Sequence, residues 1–350
     1  MYLRVAGTFE DQRRLLYQLT LVLVYCMVIH SEKCNISGLI KPCTCEKFWN
    51  DESFITCSPP DDGRTLMDLL EIVANHFHSG KKITFCITGC DREEAAFPAF
   101  PYGFFSKLNR VKEFQIEVRC DFAFLSPPVH EGTSIFDGLT ITEKMTVVIS
   151  PPCQSLNGWD WSLFLNIKFE ENATFSIDHF HSRLDYIPSS FSNLGEHIPV
   201  KDIKFVRVFV SKLPNYAFSK FWRMEEFNFT QSLLSVVRRS DFPTEATYLR
   251  TLDLSGNKLQ ILPDDLFSNM PILKVVALNG NNIYVLQEQL FRNIAKHIKF
   301  NVSDLPLYCN CSIHWIISRS GFEEIEGECF SPEHLKNKPL NELKNDDLSC

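Results

Sequence analysis

Several things are scarce in this 350-residue chain, and each scarcity excludes something. Lys and Arg number 35 against 43 Asp and Glu, a formal net charge of −8. No basic excess exists to neutralise phosphates, so nucleic acid is not an expected partner. The chain has no G-x-S-x-G, no H-E-x-x-H, no G-x-G-x-x-G and no Gly-rich phosphate loop. An enzyme, a cofactor and a resident metal are therefore not expected. No apolar run reaches 18 residues, the length at which a membrane span is considered. Glycine is sparse, at 14 residues, whereas Phe numbers 30 and Cys 13. Apolar residues at 45% and charged residues at 22% are enough for a sizeable core.

The first segment sets the compartment. Arg13-Arg14 precedes an uncharged run from Leu15 to Ile29, followed by His30-Ser31-Glu32-Lys33. Such a run is roughly 22 Å long as a helix, short of a bilayer core. A basic flank, a short apolar core and then small or polar residues is the arrangement of a secretory signal, expected over 1–31. Cleavage near Ser31 removes Cys26 and leaves twelve cysteines, an even number that suits an oxidising compartment. It also removes Arg4, Arg13, Arg14, Glu10 and Asp11, taking the charge from −8 to −9. No apolar tail follows Cys350, so the mature chain is expected to be released, without membrane insertion.

Two stretches align without a gap at an offset of 24 residues, Leu249 to Phe267 and Leu273 to Phe291. Leu249/Leu273, Leu252/Val276, Leu254/Leu278, Asn257/Asn281, Leu259/Ile283, Leu262/Leu286 and Phe267/Phe291 all pair. This is the L-x-x-L-x-L-x-x-N-x-L pattern of a leucine-rich repeat. Backwards, the register meets Met224, Phe227, Phe229, Ser232 and Phe242, then Val200, Ile203, Phe205, Val208 and Phe218; forwards it meets His297, Phe300 and Val302. The fourth and sixth positions share one face of a short strand and point inward. Asn at the ninth turns in to satisfy backbone groups that no ladder covers. One coil cannot bury its own face, so neighbours must stack. Phe at the nineteenth position makes the Phe excess a packing spine rather than a ligand box.

Before residue 200 the pattern degenerates. Phe164, Ile167, Phe169 and Asn172 fit, as do Val111, Phe114 and Ile116, and Phe85, Ile87 and Cys90. Between 136 and 150 two registers compete, Leu139/Ile141 and Val147/Ile149. From Phe164 to Val200 the spacing stretches to 36 residues, which predicts an inserted loop around Asp178 to Phe191. The expected fold class is an α/β solenoid, a horseshoe with a parallel sheet on its concave side. Its domains are a signal over 1–31, an N-terminal cysteine cap over 32–60, repeats over 61–304 (regular from 200) and a C-terminal cysteine cap over 305–350.

Cysteines cluster where an open solenoid must be capped. Cys34, Cys43, Cys45 and Cys57 precede the repeats, and Cys309, Cys311, Cys329 and Cys350 follow them with Trp315 and Ile316. With these clusters the chain resembles the extracellular leucine-rich-repeat family with cysteine-rich caps. That resemblance implies the pairs Cys34–Cys45, Cys43–Cys57, Cys309–Cys329 and Cys311–Cys350. It departs from the family at Leu305-Pro306-Leu307, where Asn-Pro-Trp is usual. Zinc is the rival reading of C-x-C clusters. Cys86, Cys90, Cys120 and Cys153 remain, with three possible connectivities. Cys120 lies four residues after Ile116 as Cys153 does after Ile149, which suggests Cys120–Cys153 and, by elimination, Cys86–Cys90.

His76/His78 and His179/His181 are two apart and could share a strand face as metal ligands, but exposed loop histidines are the simpler expectation. The outward strand positions give a mixed polar concave face. Lys201, Asp202, Lys204 and Arg207 stand opposite Glu225, Glu226, Asn228 and Gln231, with Arg250, Thr251 and Asp253 beyond. Sequons occur at Asn35, Asn172, Asn228, Asn301 and Asn310. Glycans are expected at Asn35, Asn228 and Asn301. Asn172, as a ninth-position residue, should be buried and bare, and Asn310 sits between two cysteines. Sugars on Asn228 and Asn301 would push a partner to the N-terminal coils, the insertion or an edge.

The expected function is a secreted, non-catalytic binding or scaffolding module for an extracellular protein. Pro42-Cys43-Thr44-Cys45, the Phe richness and the degenerate N-terminal half look like arthropod secreted members of the family. Some of these are similar to the non-catalytic subunit of a secreted luciferin monooxygenase. The alternatives are the ectodomain of a Toll-like or other cell-surface receptor, and a non-catalytic subunit of a secreted enzyme complex.

Overall fold

The structure is a computed structural model that describes residues 32–33, 44–47, 52–57, 82–87, 103–118, 134–149, 161–180, 184–291, 298–318 and 324–348. The expected signal lies outside these residues. The strands of the first half are β1 (Glu32–Lys33), β2 (Thr44–Lys47), β3 (Ser53–Cys57), β4 (Lys82–Ile87), β5 (Arg110–Val118), β6 (Thr140–Ile149), β7 (Lys168–Phe169) and β8 (Thr174–Phe180). Those of the second are β9 (Val200–Val206), β10 (Glu226–Thr230), β11 (Thr251–Asp253), β12 (Val275–Ala277), β13 (Lys299–Asn301) and β14 (Ile325–Glu326). All join one open sheet in chain order, with β7 branching from β6. The first three strands pair antiparallel and every later pairing is parallel.

One inward column runs the length of the sheet: Ile55, Phe85, Ile116, Val147, Ile177, Ile203, Phe227, Leu252, Val276, Phe300 and Ile325 stand side by side. All are buried, and each from Ile55 to Phe300 has a strand on either side. Opposite the sheet, rings extend the packing in a chain. Phe105 stacks on Phe136 at 5.1 Å and Phe136 on Phe164 at 5.1 Å; Trp161 meets Phe191 at 4.8 Å, and Phe191 meets Phe218 at 6.0 Å. The expected spine residues Phe218, Phe242, Phe267 and Phe291 are all buried. Such ring pairs add about 0.5–1.5 kcal/mol each beyond the area they bury.

Inside the turn after each strand, polar side chains complete the ladder. Asn257 donates from Nδ2 to the carbonyls of Phe229 (2.6 Å) and Leu254 (2.9 Å), while its Oδ1 accepts from the amide of Leu234 (3.1 Å). Asn281 repeats this with Leu254 (2.9 Å), Leu278 (2.8 Å) and the amide of Leu259 (3.0 Å). Ser232 is the shorter substitute, accepting from Val208 N at 3.0 Å and donating to Thr230 O at 2.9 Å. The residue just before this position is left-handed in every regular coil: Arg207, Gln231, Gly256, Gly280 and Asp304 have φ between 50° and 66°. At Gly256 a Cβ would meet Gln231 Cα at 3.1 Å, so close approach and φ both favour glycine there.

Several expectations for the first half are corrected. Pairing places Ile116 beside Val147 and Phe85, so Ile116 rather than Phe114 occupies the fourth-position column. Ile177, not Ile167, continues that column. Coils therefore advance 30 or 31 residues from Ile55 to Ile177, then 24 to 26 from Ile177 onward. The stretched spacing disappears, and with it the insertion. Asp178 to Phe180 end β8, and Ser189–His197 (α1) is the helix of that coil. Both competing registers in 136–150 are real, because ten-residue β6 pairs early with β7 and late with β8. Asn172 is exposed, not buried, in a turn closed by Ala173 N donating to Glu170 O at 2.9 Å. The argument for Cys120–Cys153 shifts by two residues, since Ile149 pairs with Val118; both cysteines, like Cys90, lie outside the described residues.

The ends are closed differently. Cys45, on β2, is buried and disulfide-bonded, while Cys34 and Cys43 are outside the described residues. Cys86 is a buried residue of β4. Cys309 and Cys329 form a disulfide with Cα atoms 5.7 Å apart, and Cys311 is disulfide-bonded too; Cys350 is not described. Leu305 and Leu307 are buried where Asn-Pro-Trp is usual. Trp315 covers the last coil, stacking on Phe291 at 4.5 Å and donating from Nε1 to Leu286 O at 3.0 Å.

His179 is the sharpest departure from expectation. It sits on β8 between Ile149 and Phe205, 0% exposed, in an otherwise apolar column, with its ring 5.6 Å from Phe205. Burial pushes its pKa down to about 3. His76, His78 and His181 are outside the described residues, and among those described no group of three or more His, Cys, Asp or Glu could hold a metal.

Two predictions follow from the core. Asn257→Leu orphans Leu234 N–H and removes a donor from the carbonyls of Phe229 and Leu254, the latter still held by Asn281, and should cost about 2 kcal/mol in urea unfolding; a loss below about 1 kcal/mol would show that the amide is dispensable. For His179, the unfolded side chain takes up a proton below its ordinary pKa of 6.5 while the folded one does not until about pH 3. Stability is thus full above about pH 6.5 and falls by about 1.4 kcal/mol per unit as pH drops toward 3. His179→Leu should flatten that dependence between pH 7 and 5; an unchanged slope would contradict the assignment.

Candidate binding surface

The seven residues expected to line the binding face do come together. Lys201, Glu225 and Arg250 form one row across β9, the start of β10 and β11, tied by Glu225 N to Lys201 O and Arg250 N to Glu225 O, both 2.8 Å. Asp202 pairs with Glu226, and Lys204 with Asn228 and Asp253. Three of the charges meet one another. Glu225 bridges Lys201 at 3.4 Å and Arg250 at 3.6 Å; Arg207 donates to Gln231 at 2.7 Å, and Ser176 to Asp202 at 2.9 Å. Burial pushes the carboxyl of Asp178 up, opposed by the nearby charges of Lys204 and Lys144. Exposed pairs of this kind contribute little stability.

This outer face changes along the array. On β4 and β5 the residues alternating with the inward column, Thr84, Cys86 and Glu117, are themselves buried. On β10 and β13, Asn228 and Asn301 are half-buried, and Asn301 Oδ1 accepts from Ser303 N at 3.1 Å.

A second surface went unnoticed in the sequence. After the ninth position the chain leaves the sheet along one flank, and adjacent coils join there through Ser235 N to Ser211 O (3.0 Å), Lys258 N to Leu234 O (2.9 Å), Asn282 N to Leu259 O (2.9 Å) and Tyr308 N to Tyr284 O (2.9 Å). Inward residues Val210, Leu234, Leu259, Ile283 and Leu307 are buried. Those between them are exposed and largely apolar: Phe209, Leu233, Val236, Ile261, Tyr284, Val285 and Tyr308, with Ile261 at 77%. The segments 209–213, 233–237, 258–262, 282–286 and 306–308 contain Lys212 and Lys258 and no acidic residue. A depression of about 320 Å³ lies among Ile261, Tyr284, Val285 and Leu290. A continuous exposed apolar band is uncommon on a monomer and marks interaction sites. The repeat register, with units starting at 224, 249 and 273, puts Val236, Ile261 and Val285 at its thirteenth position and was the available signal.

No helix among the described residues is long and apolar enough to cross a membrane. No curated protein matches the chain. The leucine-rich-repeat family matches residues 247–297, the two coils whose sequences align best. Together with the open, mostly parallel sheet, this match fits a leucine-rich-repeat solenoid, a fold commonly used to bind proteins.

Proposed function

We propose that the protein is a secreted, non-catalytic binding module that holds an extracellular protein partner against its apolar flank. The observation that carries this is the band from Phe209 to Tyr308, exposed, basic where charged, and set on a chain of net charge −8. A partner with an apolar patch rimmed by acidic groups fits it. Three routes were open if sugars occupy the outer sheet face at Asn228 and Asn301. The N-terminal outer face is buried at Thr84, Cys86 and Glu117 and exposed at Lys144, and the insertion is absent. The edge is the route that presents exposed apolar side chains. Secretion rests on the apolar run Leu15 to Ile29, its basic flank and the even cysteine number left by its removal.

The test uses the full chain expressed with its own first 31 residues. The protein should be recovered from the medium, and retention in cells would overturn secretion. Cross-linking in extracellular fluid should then capture a partner that the Ile261→Asp, Tyr284→Ala double variant binds at least tenfold more weakly, about 1.4 kcal/mol. Lys204→Ala should leave capture unchanged. The reverse pattern, loss at Lys204 and none at the flank, would return the site to the sheet face.

A further inference from the structure

The sequon at Asn172 changes meaning once it is seen in three dimensions. Read as a ninth-position residue it had to be buried; it is instead exposed, in the turn between β7 and β8. Ala173 anchors that turn in the core at 0% exposure, and Thr174 begins β8 half-buried. A sugar on Asn172 therefore leaves the core untouched, whereas one on a true ninth-position residue such as Asn257 would break three hydrogen bonds.

The surroundings also suit a sugar. Asn172 borders a depression of about 260 Å³ whose walls include Glu171, Lys201, Arg223, Glu225 and Tyr248. Arg223 reaches across it, donating to Glu171 O at 3.5 Å. Tyr248 is 46% exposed, and its ring lies 6.3 Å from Trp222, which is 47% exposed. Charged groups able to bind hydroxyls beside an exposed aromatic face are what a pyranose ring uses, its hydroxyls outward and its C–H face on the ring.

We propose that Asn172 carries an N-linked glycan whose first sugar is seated in this depression, against Tyr248. The inference rests on the secreted reading above. In the transfer, Nδ2 of Asn172 attacks the anomeric carbon of a lipid-linked oligosaccharide diphosphate. The N–C bond forms, the C–O bond to diphosphate breaks, the lipid diphosphate leaves with the electron pair and the amide proton passes to base. The seated glycan covers the side of β9 and β10 where the strands begin, opposite the apolar flank that follows their ends. It thereby narrows the open surface to that flank.

Glycopeptide mapping of the secreted full chain tests this site by site. The expected result is occupancy at Asn172, lost in Thr174→Ala, which removes the acceptor hydroxyl, while Asn228 and Asn301 are unaffected. Occupancy at Asn228 or Asn301 with Asn172 bare overturns the proposal and leaves secretion standing. Every sequon bare likewise overturns the proposal and leaves secretion standing, whereas retention of the chain in cells overturns both. Seating has its own readout: Tyr248→Ala should speed enzymatic release of the Asn172 glycan from the native protein roughly threefold. An unchanged release rate would mean that the sugar is not held in the depression.

Discussion

Every strand in this array buries its inward side chains only because another strand lies beside it. Nothing within a single coil closes its own core: Ile203 needs Ile177 and Phe227, and Leu252 needs Phe227 and Val276. The consequences propagate outward. Coils must keep register, so the amides of Asn257 and Asn281 lock one coil's turn to the backbone of the coil before it. At the first end β1, β2 and β3 pair antiparallel, and at the other Trp315 stacks on Phe291 and donates to Leu286 O. The flanks are where the chain turns back, and there alternate residues inevitably face water.

What those flanking residues are is a matter of choice rather than necessity. A solenoid flank needs only its inward residues, Val210, Leu234, Leu259 and Ile283, to be apolar. Ile261, Tyr284 and Val285 add nothing to the core. Such residues are retained at a cost in solubility, which is why a partner explains them better than folding does. The sheet face shows the opposite economy. Its residues are polar and mixed in sign, with Glu225 shared between Lys201 and Arg250.

The sequence revealed the second half of the fold and blurred the first, for a definite reason. Leu249 to Phe291 repeats with single inward pairs, two residues apart, followed by an inward Asn. The N-terminal strands are longer and carry several inward pairs in succession: Phe114/Ile116, Met145/Val147 and Phe175/Ile177. Because side chains alternate with a period of two, a slip of two residues keeps every apolar group on the core face. Hydrophobic pattern alone therefore accepted Phe114 for Ile116. Ile167 passed for Ile177 for a different reason: ten residues earlier, β7 pairs with the start of β6 as β8 pairs with its end, and that choice produced both the apparent insertion and the buried Asn172. His179 was illegible for another reason, since residue type argued for solvent while its neighbours in the ladder demanded the core. In the regular half the coils keep one register, so Lys201, Glu225 and Arg250 fall in one row across the sheet. The flank carried the same register and was passed over because exposed apolar positions in a repeat look like core.

The central claim is that the flank, not the sheet face, is the working surface. Hydrogen exchange of the secreted protein with and without its captured partner tests this most directly. The account predicts that binding slows exchange in 258–262 and 282–286, with Lys204, Asn228 and Asp253 unchanged. Protection confined to β9–β11, with the flank segments exchanging as in the free protein, would contradict it.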